Sequence, residues 1–98
     1  SGEEDMPVGC VRDMVYDPQR GLLLLTARGG QTKNGVCDIQ TADGSFDVYV
    51  HVGFEAEDAR LTLDDSGYAY VCGTDRDNGQ NITAVVRVDL DAGEAPVS

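Results

Sequence analysis

Two stretches of this chain carry the same order of strand and turn signals, and that internal repeat constrains the fold more than any other feature. PVGCVRDMVYDPQRGLLLLTA begins at Pro7, and HVGFEAEDARLTLDDSGYAYVCGT begins at His51. Val8-Gly9 matches Val52-Gly53 at an offset of 44, and the turn closing at Gly21 matches the one closing at Gly67 at an offset of 46. VCDIQTADG (36–44) matches VVRVDLDAG (85–93) at an offset of 49. Repeats of about 46 residues with four strand slots cannot bury their apolar faces alone, so they stack on one another. The expectation is a single all-β unit over 1–98, with repeat 1 at about 7–50 and repeat 2 at about 51–95.

Helical periodicity is nearly absent, and strand signals recur along the chain. Residues 14–17 (MVYD) read as a short strand and DPQRG (17–21) as a turn with an early Pro and a closing Gly. LLLLTA (22–27) is a continuous apolar run, which predicts a strand covered on both faces. RGGQTKNG (28–35) reads as a loop, VCDIQTA (36–42) as a strand, and Asp43-Gly44 as the turn into SFDVYVHV (45–52). That last segment alternates, with Phe46, Val48, Val50 and Val52 on one face and Asp47, Tyr49 and His51 on the other. After the connector GFEAED the order returns: ARLTL (59–63), the turn DDSG (64–67), YAYVCGT (68–74), the polar loop DRDNGQN (75–81) and ITAVVRVDL (82–90).

Charge narrows the partners. Seven Lys and Arg stand against 18 Asp and Glu, a net charge of −11. Nucleic acid and anionic membrane surfaces call for a basic footprint, so neither is expected as a partner. The longest apolar run, Leu22–Leu25, is far short of the ~18 residues that cross a bilayer as a helix. Cys10, Cys37 and Cys72 give an odd count with no CxxC pair, and read as small buried strand residues.

VGFEAEDARLTLDDSGYAYV resembles the seam between blades in seven-bladed YVTN-type and related β-propellers. That seam runs Val-Gly, a connector, an apolar strand, an Asp-Gly turn and a strand ending Tyr-Val. Val52-Gly53, Asp65, Gly67 and Tyr70-Val71 fill the positions, as do Val8-Gly9, Asp17-Pro18 and Gly21 in the first unit. Both units lack the Pro that follows Val-Gly in the pattern, and Ser66 separates Asp65 from Gly67. The resemblance covers about residues 7–93. It implies antiparallel four-stranded blade repeats: the last piece of one blade at Pro7–Val11, a complete blade over 14–52 and three strands of the next over 59–90. Propellers close with about four to eight blades, so two imply association, with copies of this chain or with a chain carrying the remaining blades. The lactonases and quinone-dependent dehydrogenases of this group give an alternative in which the chain is a fragment of a propeller enzyme.

A rival resemblance is to the immunoglobulin variable-type domain, a β-sandwich used for extracellular recognition. DDSGYAYVCG resembles its Asp-x-Gly-x-Tyr-x-Cys region, and the pattern implies a Cys10–Cys72 disulfide. One residue too many separates Gly67 from Tyr70, and the core Trp of that fold is absent.

No GxSxG, GxGxxG, P-loop or HExxH motif is present, so the chain reads as a non-catalytic binding module. On a propeller, the loops between blades and between second and third strands share one ligand-facing rim. The resemblance places Arg12, Asp13, Glu55, Glu57 and Asp58 there from the connectors, and Arg28, Lys33, Asp75, Arg76 and Asp77 from the other loops. Their mixed charge suits protein or carbohydrate recognition. DRDNG (75–79) resembles the start of a calcium loop, which makes Asp75 and Asp77 the cation candidates; it is one residue short, and no Glu follows at the twelfth position. No other cofactor is expected. Asn81 heads the glycosylation triplet NIT and would carry sugar in an extracellular setting, the compartment slightly preferred here.

Overall fold

The computed structural model describes residues 10–27 and 36–92, which form seven strands and no helix. They are β1 (Cys10–Asp17), β2 (Gly21–Ala27), β3 (Val36–Thr41), β4 (Asp47–His51), β5 (Glu55–Leu63), β6 (Tyr68–Asp77) and β7 (Gln80–Asp89). Each strand pairs antiparallel with its sequence neighbour, giving a four-stranded sheet β1-β2-β3-β4 and a three-stranded sheet β5-β6-β7. The first strand is longer than residues 14–17 and is irregular between Val11 and Asp13.

Local chemistry fixes the hairpins. Asp17 Oδ1 accepts the Gln19 N–H at 2.9 Å, and Asp64 Oδ1 accepts the Ser66 N–H at 2.8 Å. Each aspartate thus mimics a backbone turn at the same point of its hairpin. The third turn is built by Thr41, whose hydroxyl donates to Asp43 Oδ1 at 2.6 Å and accepts the Ser45 and Phe46 N–H groups at 3.0 and 3.2 Å. DRDNG is not an open loop: β6 runs through Asp77, and Asn78 (φ 52°) and Gly79 (φ 78°) alone turn the chain into β7. Two consecutive positive φ values are the signature of the tight Asn-Gly hairpin.

The hairpins superpose at an offset of 47, since Asp17 pairs with Gly21 while Asp64 N–H bonds the Tyr68 carbonyl at 3.0 Å. Leu23 therefore corresponds to Tyr70, and Leu22 to Ala69. Backbone directions agree: Leu22 C=O accepts from Ala42, and Gly67 C=O, two residues before Ala69, accepts from Leu90, each toward the third strand. Third strands superpose at 46, since Leu23 faces Thr41 and Tyr70 faces Arg87. Matching residues 36–44 to 85–93 by sequence alone lies three residues away from this register.

One face of the first sheet, called its front here, carries Leu23, Leu25, Cys37, Ile39, Val48 and Val50, all fully buried. The positions equivalent to Leu23 and Leu25 in the second sheet are Tyr70 and Cys72, and both are half-buried. The second sheet instead buries Ala69, Val71, Val86 and Val88, which lie on its opposite face, its back. All belong to one apolar cluster. Because the peptide direction of an L-residue fixes the face its side chain takes, the front of the first sheet packs on the back of the second. The two sheets are stacked in the same sense.

The chain passes from β4 to β5 through Val52, Gly53 and Phe54, with Gly53 at φ 73°. From Glu55 to Arg60 β5 advances five residues while β6 advances two, from Thr74 to Cys72. The bulge carries the buried Ala56, and the buried Phe54 ring covers Gly73. A Cβ on Gly73 would lie 2.5 Å from Phe54 Cε1, so only glycine lets the ring sit there.

Candidate functional site

Two places stand out: a cleft at the hairpin end of the stack, and a part of the first sheet's back over which no other described strand lies.

The cleft, about 580 Å³, is bounded by the β1–β2 turn, the β5–β6 turn and the end of β7. Arg20 spans it. Its guanidinium meets Asp17 Oδ2 at 2.9 Å and Asp91 Oδ1 at 2.7 Å, and it lies 5.5 Å from the Phe46 ring centre. Burial alone would push the Asp17 carboxyl up; the Gln19 N–H and the Arg20 guanidinium outweigh it and hold the carboxyl below its ordinary value. On the other wall the Tyr70 hydroxyl, donating to Asp64 Oδ2 at 2.7 Å, together with the Ser66 N–H, lowers Asp64. These carboxylates organise turns and join sheets. Among the described residues no group of three or more His, Cys, Asp or Glu could hold a metal ion.

Of the residues expected on a ligand rim, those described lie on strand segments toward the other end. Arg12 and Asp13 begin β1, Glu55, Glu57 and Asp58 begin β5, and Asp75, Arg76 and Asp77 end β6. Arg28 and Lys33 lie outside the described residues. Glu57 and Asp58 are exposed, as is Arg76. Asp13 has a different task. Its carboxylate accepts the Met14 N–H at 2.9 Å and the Leu61 N–H at 2.8 Å, clamping β1 to the free edge of β5. Asp58 accepts the Thr74 N–H at 3.2 Å, and bonding from Thr74 lowers its pKa. Asp75 and Asp77 alternate along β6 and so share the back of the second sheet.

Asn81 is exposed near the start of β7, opposite Arg76. Cys72 is a half-buried free thiol on the front of the second sheet, and the Cys10 side chain lies outside what is described. Cys37 is also free, and burial pushes its thiol up to about 11. His51 is exposed at the end of β4, on the face its alternation predicted.

The open part of the first sheet's back lies on β1 and the start of β2. Val11, Met14, Tyr16 and Leu22 are exposed there, Met14 by 58% and Tyr16 by 67%. Met14, Tyr16 and Leu22 correspond to Leu61, Leu63 and Ala69 of β5–β6, of which Leu61 is 5% exposed and Ala69 wholly buried. The run Leu22–Leu25 is thus fully covered on one face only. Toward β3 the same back face closes, with Thr26, Asp38 and Gln40 buried. Sequence reasoning found the apolar run but not the patch, because β1 contributes three of its four residues and the pairing register decides which of them share the face. No protein-family model, curated protein or solved structure matches this chain.

Proposed function

We propose that the chain is a non-catalytic binding and assembly module of about two β-propeller blades, with four strands of one and three of the next among the described residues. It takes its place in a propeller by association, with itself or with a chain that carries further blades, and presents the connector end for recognition of protein or carbohydrate. The observation that carries this is the same-sense stack: a front packed on a back leaves a complementary unused back at one end and a front at the other. Such a stack continues by addition, unlike two sheets packed face to face, which close on each other. Meanders of consecutive strands also favour this reading over the immunoglobulin sandwich, whose strands interleave between sheets.

Solution mass by light scattering, read together with binding of an apolar dye, tests it. Association, or a folded monomer that binds the dye through the Met14 face, supports the module. A folded monomer that binds no dye and whose Met14 face is protected would end it, since nothing would then remain to be completed.

A further inference from the structure

Resting on that reading, we infer that the cover of the exposed back face is a second copy of this chain, presenting the front of its own second sheet. The chemistry of a suitable cover is already displayed inside the molecule. Leu61 and Ala69 are buried under an apolar sheet front whose first strand reaches the β5 edge through Asp13. Their equivalents around Met14, Tyr16 and Leu22 present the same strand order and apolar character, and no described sheet lies over them.

The front of the second sheet is the other unused end. It exposes Val85 by 58% and carries the half-buried Tyr68, Tyr70 and Cys72. Tyrosine and arginine are the residues interfaces favour. Arg60, Arg76 and Arg87 all project from this front, with Asp89 beside them and Asp64 reaching over it to Tyr70. In a chain of net charge −11 this is a local excess of positive charge. The back of the first sheet presents the exposed Asp47 and, among its described strand residues, no Lys or Arg from β2, β3 or β4. Arginines on one end and the exposed Asp47 carboxylate on the other favour this pairing and its direction. The contact is head-to-tail, with different surfaces on the two partners, so it extends until a ring closes. The apolar part covers only the β1–β2 half of the face, so the association is concentration-dependent.

The test uses two variants, Met14→Arg on the back and Val85→Arg on the front. Both side chains are 58% exposed, so neither substitution disturbs the core, and circular dichroism verifies it. The wild-type chain is expected to gain mass with concentration by analytical ultracentrifugation. Each variant alone stays monomeric. An equimolar mixture forms a dimer and nothing larger, because one variant keeps an intact front and the other an intact back. Labelling of Cys72 by a bulky maleimide slows in the wild-type assembly and in that mixture. If the wild type associates but the mixture stays monomeric, the contact is not head-to-tail and the inference falls. If the wild type stays monomeric at every concentration while its Met14 face binds an apolar dye, the second copy is the wrong occupant, and the assembly reading survives with another chain as partner.

Discussion

Gly73→Ala is the sharpest probe of how the two sheets are held. The added Cβ would lie 2.5 and 2.8 Å from two Phe54 ring carbons and 3.1 Å from Asp58 Oδ1. Ordinary carbon contacts sit near ~3.5–4.0 Å, so the overlap approaches ~1 Å. The ring has little room to withdraw, being 3% exposed within the shared core. Overpacking of this kind costs about 1–3 kcal/mol. Gly73 is not among the positive-φ glycines, so alanine also gains about 0.5–1 kcal/mol of backbone preference. The net expectation is a loss of about 1–2 kcal/mol, read as a lower urea midpoint with an unchanged slope. Phe54→Ala alone should cost about 3–5 kcal/mol. Gly73→Ala combined with Phe54→Leu should cost less than the sum of Gly73→Ala and Phe54→Leu measured singly, because the smaller side chain makes room for the methyl. The measurement belongs at low protein concentration, where association adds nothing to stability. A Gly73→Ala chain as stable as the wild type would refute the claim that the ring needs a bare backbone at this position.

Further expectations follow from the polar links. Asp13→Ala removes a charged acceptor shared by two N–H groups and should lower stability by about 1.5–3 kcal/mol, with faster hydrogen exchange at the Leu61 amide as the specific readout. Asp17→Asn weakens a mostly buried pair and should cost about 1–3 kcal/mol, whereas Asp91→Asn, at the 68% exposed end of the same bridge, should change urea stability by less than about 0.5 kcal/mol. Asp17, Asp58 and Asp64 titrate below the ordinary 3.8 in the folded chain. A lowered folded pKa stabilises above the unfolded value and is lost as pH falls through the folded one. Unfolding free energy should therefore drop as pH falls below about 4, and a midpoint that holds steady there would contradict these bonds. At neutral pH a thiol reagent should label Cys72 and spare Cys37, whose thiol is buried and held near 11.

The sequence by itself determined what is local. The β4 alternation appears as alternating exposure, and Asp64 and Thr41 make the turns their residue types favour. Asn78-Gly79 is equally local, a pair that turns a hairpin in two residues, although the polar run around it reads as a loop. These features were readable because a few adjacent residues fix the dihedrals and hydrogen bonds involved. Tertiary structure alone decided what depends on distant partners. The third-strand register comes from pairing with Leu23 and Tyr70. Asp13 became a clamp because Leu61, 48 residues away, presents an edge N–H, and Arg20 joined the sheets because Asp91 lies 71 residues away. Likewise, four consecutive leucines show that a strand has two apolar faces; only the arrangement of the other sheet shows that one is covered and the other open.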